Sequence, residues 1–284
     1  MTLRPAASPS ESNIFAVPLT PIQTKILRIL ASNRDPESFV AGSTPLNRDS
    51  ARFSSDIDVF HDREERIAQA ATLDSQTLTK QGFTLEWIRR ESGIYSAIVR
   101  SGDLSTKLEW VADSDFRFFP VIEDEMFGFM LHPVDLATNK VAAAYGRREP
   151  RDIVDLITIH ERILPLGAAI WASAGKALGF TPEGIINEIR RVARYTRADF
   201  DRVASEPPVD PEQTMIRLRL YLQQAEGFVL QMPTDLVGLL FVEDGKVVQP
   251  DPTRLQDYRT HAGRRRGHWP SNVEISSAML SKNL

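Results

Sequence analysis

Residues 39–60 read FVAGSTPLNRDSARFSSDIDVF. The apolar run Phe39–Ala41 ends in Gly42-Ser43. Twelve residues later Asp56-Ile57-Asp58 opens a second apolar run that continues through Val59 and Phe60. Ionised carboxylates are costly to bury unless they are paired or bound to a cation. A strand resolves the conflict, because its side chains alternate between faces. Asp56 and Asp58 then share one face, while Ile57 and Val59 reach a core from the other. At about 7 Å between their backbones, two such carboxylates can still converge on a divalent cation. Glycine before Ser43 lets backbone approach a phosphate closely, and the serine adds a hydroxyl beside exposed N–H groups. Ser43-Thr44-Pro45 can also open a helical turn, whose start favours anions. Phosphate donors at one end and metal-binding carboxylates at the other describe a site for a nucleotide and Mg²⁺.

Working outward, Thr20-Pro21 reads as a cap and first residue of a helix to Leu30. Strands are expected at Ser38–Ala41 and Asp56–Phe60, and a helix over Arg63–Lys80. Phe83–Ala112 alternates in strand fashion, with turns at Ser92-Gly93 and Ser101-Gly102-Asp103, and Phe116–Phe129 adds one or two strands. After Pro133 the pattern turns helical: Pro133–Tyr145, Pro150–Ile163, Leu166–Leu178, Pro182–Tyr195 and Pro211–Gly227. A short hairpin over Val237–Gln249 and an irregular tail follow. Strands joined partly by helices and partly by hairpins imply a mixed sheet, hence an α+β (α/β-like) fold. The organisation expected is a mixed-sheet domain over residues 1–164 and a mostly helical domain over 165–284. The Pro133 and Pro150 helices suit either half. Residues 1–13, rich in Pro and Ser, read as loose.

Composition narrows the function classes. The chain has 284 residues, 42% hydrophobic and 25% charged, so a substantial core can form. A net charge of −4 leaves nucleic-acid binding to a local patch. Without cysteine there are no disulfides, and the five histidines lack zinc-like spacing. No apolar run approaches the ~18 residues of a membrane span, and the N-terminus lacks a secretory apolar core. The expectation is a cytoplasmic protein.

The order apolar-Gly42-Ser43, a dozen residues, then Asp56-x-Asp58 among apolar residues resembles the signature of the DNA-polymerase-β-like nucleotidyltransferase superfamily. That resemblance implies a third carboxylate on a later strand. Glu109, facing away from Leu108 and Trp110, is the candidate, with Asp113 and Asp115 next. A narrower likeness lies in Asp135-Leu136-x3-Lys140 and in Arg147-Arg148-Glu149-Pro150-Arg151-Asp152-Ile153-Val154-Asp155-Leu156. It is similar to the AbiEii/AbiGii-type toxin nucleotidyltransferases, with a shorter link from Lys140 to Arg151 than in longer members. The matches span roughly residues 38–160.

The resemblance implies transfer of a nucleoside monophosphate from an NTP to an acceptor hydroxyl. One or two Mg²⁺ ions would sit on Asp56, Asp58 and Glu109. Ser43 and Lys140 would meet the phosphates, and Asp155 would share the active site. Asp58 and Glu109 are the candidates to deprotonate the acceptor. For Arg151 and Asp152 structural roles are expected instead, an Arg151–Asp155 ion pair and a first-turn partner for the helix dipole. The resemblance further implies tRNA or another macromolecule as acceptor and a cognate antitoxin as partner. Arg190, Arg194 and Arg197, joined by Arg191, recur at helical spacing as a candidate nucleic-acid contact, and Arg264–Trp269 adds a basic, aromatic tail. Two other readings compete: a catalytically silent binding module on the same fold, and a small-molecule (aminoglycoside-type) nucleotidyltransferase.

Overall fold

The computed structural model describes residues 19–48, 50–113, 116–266 and Met279. Helix α1 (Pro21–Leu30) starts at Thr20 in a reciprocal cap with Gln23, and Ile22, Ile26 and Leu30 form its buried face. Then follow β1 (Ser38–Ala41), a single helical turn α2 (Ser43–Leu46), β2 (Asp56–His61) and α3 (Ile67–Lys80). The meander is β3 (Thr84–Glu91), β4 (Ile94–Ser101) and β5 (Leu104–Ala112). Three short strands come next: β6 (Phe116–Arg117), β7 (Ile122–Asp124) and β8 (Gly128–Met130).

Among the described residues these build a seven-stranded sheet in the order β3-β4-β5-β2-β1-β8-β7. It is mixed: β2 runs parallel to β5 and β1 parallel to β8, and the other neighbours are antiparallel. The parallel β2–β5 ladder sets Asp58 opposite Glu109 and Asp56 opposite Lys107. On β2, Ile57, Val59 and His61 are buried, while Asp56, Asp58 and Phe60 are half-buried on the other face. This is the alternation expected from the sequence.

The helical part comprises α4 (Pro133–Gly146), α5 (Pro150–Arg162), α6 (Leu166–Ser173), α7 (Pro182–Val192), α8 (Arg197–Phe200) and α9 (Pro211–Val229). Four helices, α4, α5, α7 and α9, carry proline at the first turn, where its missing N–H costs no bond. Strands β9 (Leu239–Glu243), β10 (Lys246–Val248) and β11 (Arg259–Ala262) form a second sheet, and β12 (Arg264–Arg265) pairs with β6. The tail expected to be irregular therefore contributes β11 and β12. Only His261 of β11 is buried, so the strand shows no apolar alternation to read.

Three helices are shorter than expected. α3 is preceded by a 3-10 turn over Glu64–Arg66, α6 gives way to one over Ala174–Lys176, and α7 stops at Val192. Residues 1–13, Asp115 and the Gly267-His268-Trp269 part of the tail lie outside the described residues.

Buried apolar side chains fall into two clusters. One unites α1, α3 and the large sheet, with Trp110 and Phe39 among its fully buried members. The other gathers α4, α5, α6, α7, α9 and the β9 strands around Trp171 and Phe241. Leu136 belongs to the first cluster and Ala137 to the second, so α4 is where they meet. We keep a two-part organisation as a proposal; the packing groups α4 and α5 with the helices that follow them.

Candidate active site

The carboxylates of Asp56, Asp58 and Glu109 each place one oxygen within 4.8 Å of the others, and all three side chains are half-buried. Their positions follow from backbone anchoring. Thr44 and Ser54 both donate their hydroxyls to the Asp56 carbonyl, at 2.8 Å each, and Gln23 holds the Ser54 carbonyl at 3.0 Å. Asp113, the next candidate for the third carboxylate, is instead buried in an ion pair with Arg117 at 2.7 Å.

Three carboxylates this close are electrostatically unbalanced. Burial, then the charges of Asp56 and Glu109, push the Asp58 carboxyl up to about 7 despite the pull of Lys140 and Arg151. Lys107 lies 2.7 Å from Glu109 and supplies some compensation at the outer side. The donor set is all oxygen and the net charge strongly negative, which suits a hard divalent cation such as Mg²⁺.

Gly42 closes the group on one side. Its φ of +73° is a conformation side chains rarely adopt. A Cβ there would stand 2.1 Å from Asp58 Oδ2, so a side chain would strain the backbone and displace the Asp58 carboxylate. Ser43 follows at the start of α2, buried, its Oγ accepting from Lys140 Nζ at 2.8 Å. Lys140 reaches it from the middle of α4 and lies 2.9 Å from Asp155 Oδ2. The structure thus brings Gly42, Ser43, Asp56, Asp58, Glu109 and Lys140 to one place, with Asp155 behind them.

Asp155 is fully enclosed in protein. Its Oδ1 accepts from Arg52 Nε (2.7 Å) and Asn47 Nδ2 (2.9 Å), and its Oδ2 from Lys140 and Arg52 Nη2 (3.2 Å). Burial alone would raise this carboxyl, but Lys140 and Arg52, with the Asn47 bond, hold it down to about 2. The expected Arg151–Asp155 pair is not formed, because these three donors already fill the carboxylate. Arg151 turns toward β2 and donates to Ser55 Oγ at 3.3 Å. Asp152, fully buried, takes both of its bonds from Arg147, at 2.7 and 2.8 Å. Asp135, first residue of the Asp-Leu-x3-Lys pattern, accepts from the N–H groups of Phe118 and Phe119 at 2.9 Å each, tying α4 to the segment that follows β6.

Next to Ser55 opens a cavity of about 520 Å³, lined among others by Arg52, Arg148, Arg151, Tyr195 and Arg202. Arg148 lies over the Tyr195 ring at 5.4 Å. The stripe expected from Arg190, Arg194 and Arg197 is broken, since α7 ends at Val192 and α8 begins at Arg197. Arg190 is engaged by Glu226 at 2.7 Å and Arg191 by Glu188 at 2.5 Å. Arg194 lines a separate, smaller pocket together with Arg148, Arg191 and Val192.

Sequence reading missed Asn47 and Arg52. Both lie in a turn-rich loop without periodicity, and Arg52 meets a carboxylate 103 positions away, so no local spacing announces the contact.

No protein-family model matches the chain, and no curated protein matches it. Among solved structures, it is similar to the Cid1 poly(U) polymerase in a Mg 3′-dATP-bound crystal structure. That match has 15% identity over 54% of this chain and 49% of that chain, with a TM-score of 0.27. A second Cid1 structure, described for its RNA terminal uridylyl transferase activity, matches at 12% identity over 57% and 51% of the two chains, also with a TM-score of 0.27. The chain spans about half the length of these structures. The fold class rests on the topology above. Among the described residues no helix is long and apolar enough to cross a membrane.

Proposed function

We propose that the chain is a Mg²⁺-dependent nucleotidyltransferase that moves a nucleoside monophosphate from an NTP to an acceptor hydroxyl. One observation carries this reading. Three carboxylates converge within 4.8 Å beside a glycine whose Cβ would strike the Asp58 carboxylate and a serine held by a buried lysine. A silent scaffold has no use for such clustered charge, since like charges at this distance repel and raise a carboxyl pKa.

In this reading Asp56, Asp58 and Glu109 hold the cation. When bound, Mg²⁺ neutralises charge between these carboxylates and the phosphates. Ser43 and the neighbouring N–H groups receive the terminal phosphates, and the Lys140 ammonium balances their charge as the pyrophosphate leaves. Positioning and charge complementarity supply most of the rate in transfers of this kind. The arginine-lined cavity beside Ser55 suits an anionic acceptor. Arg148 and Arg151 would meet phosphates while Tyr195 offers a ring for a base, which favours tRNA or another nucleic acid over a cationic small molecule of the aminoglycoside type. The Asp-Leu-x3-Lys and Arg-x-x-Pro-Arg-Asp-x-x-Asp-Leu patterns support an AbiEii-type assignment. A toxin held in check by a cognate antitoxin, acting in the cytoplasm, is the role this assignment suggests.

The test is incubation of the purified protein with each labelled NTP, Mg²⁺ and total tRNA, beside the Asp58→Ala variant. Label should pass to an acceptor with the native chain and fall by at least a hundredfold in the variant. Absence of transfer to RNA, protein or small hydroxyl acceptors with every NTP would reject the assignment.

A further inference from the structure

Asp155 is one buried negative charge facing two buried cations, Lys140 and Arg52. Arg52 takes both carboxylate oxygens, through Nε at 2.7 Å and Nη2 at 3.2 Å, and spends Nη1 on the Phe53 carbonyl at 3.1 Å. Lys140 touches only Oδ2, and its ammonium also reaches Ser43 Oγ at 2.8 Å. The trio therefore carries a surplus of one positive charge, and the member nearest Ser43 is Lys140. Without Arg52, Lys140 and Asp155 would form a neutral pair, and the ammonium would have little charge left to offer a ligand.

We propose that Arg52 is a positioning residue for nucleotide binding: by satisfying Asp155 it leaves the charge of Lys140 available to phosphate at Ser43. The proposal rests on the nucleotidyltransferase reading and adds a residue outside the carboxylate group to it. Arg52 also belongs to a backbone clasp, with Phe53 N–H bonding Ala204 O at 2.9 Å and Glu206 N–H bonding Ala51 O at 2.8 Å. That clasp uses main-chain groups alone, so a side-chain substitution separates the electrostatic role from it.

The experiment measures binding of Mg²⁺ with a non-hydrolysable NTP, and of inorganic tripolyphosphate, to the full chain, with melting temperature recorded for each variant. Arg52→Gln should weaken both ligands at least tenfold. Arg52→Lys, which keeps the charge, should stay within about threefold of the native chain. Asn47→Ala, which removes a neutral donor to the same Oδ1, should do likewise. The decisive arm is Arg52→Gln combined with Asp155→Asn, which removes one charge of each sign and restores the surplus on Lys140. It should bind at least fivefold better than Arg52→Gln alone, a rescue that loss of a purely structural contact would not give. Arg52→Gln folded and binding like the native chain overturns the proposal, as does a double variant no better than the single one. Should Arg52→Gln fail to fold, binding lost in a folded Arg52→Lys or in a folded double variant overturns it equally. If the native chain binds neither ligand, the nucleotidyltransferase reading fails instead.

Discussion

Gly42 and His61 show what one residue can decide. At Gly42 a side chain would meet both a left-handed backbone, costing about 1–3 kcal/mol, and the Asp58 carboxylate. Gly42→Ala should lower the melting temperature and abolish Mn²⁺ binding, read by calorimetry. His61 faces the apolar side of β2, fully buried, with neither ring nitrogen hydrogen-bonded among the described residues. Burial, reinforced by the Arg34 and Arg66 charges, lowers it to about 3. The unfolded chain thus takes up this proton first as pH falls. The stability His61 contributes is complete above its ordinary value of 6.5 and drains away toward pH 3, by about 1.4 kcal/mol per pH unit. Asp58 and Asp62, both raised, act with the opposite sign, losing stability as pH rises toward 7 and 6. Subtracting the His61→Leu curve from the native one, by urea unfolding between pH 4 and 7, isolates the histidine. The difference should shrink steadily toward acid, and a flat difference would refute this account.

Elements were legible in the sequence where periodicity and capping agree. Thr20-Pro21, Thr181-Pro182 and Asp210-Pro211 mark real helix starts, and the alternation of Asp56–Phe60 gives β2 with its carboxylates on one face. Glu109 could be chosen for the same reason, since Leu108 and Trp110 must face the core. What could not be read is contact across long separations, such as the filling of Asp155 by Asn47 and Arg52 rather than by its helix neighbour Arg151. Helix ends were equally opaque: α7 stops at Val192, where Ala193 leaves the helical backbone at ψ +57°, although Arg194 and Tyr195 continue the pattern. The tie between α4 and the segment after β6 gives this scale its prediction. Asp135→Ala would strand the N–H groups of Phe118 and Phe119 and leave Lys176, 3.9 Å away, without its buried counter-charge. The expected loss is about 3–5 kcal/mol in urea denaturation, well beyond an exposed Asp→Ala change.

Across the whole molecule, the acidic group lies on the sheet and its lysine comes from the helical part, so neither cluster of buried residues holds the site alone. The cavity beside Ser55 continues that division, drawing walls from the loop before β2, the start of α5 and the segment around α8. If acceptor and nucleotide occupy different ends of this cleft, substitutions at its outer end should separate them. Tyr195→Ala and Arg148→Ala are expected to raise the KM for a tRNA acceptor at least fivefold and leave that for the NTP within twofold, in steady-state transfer assays. Equal effects on both would mean that the cavity receives the nucleotide itself.

The parallel ladder of β2 and β5 has a consequence for how the chain acquires this site. Asp58 and Glu109 are register partners. A slip of one residue would turn Glu109 to the apolar side and bring Leu108 or Trp110 beside Asp58. Only one pairing assembles the three carboxylates, so under the proposed function cation binding would report that this register has formed. Chains that recover their helices but pair these strands out of step would look native by circular dichroism and yet fail to take up Mn²⁺.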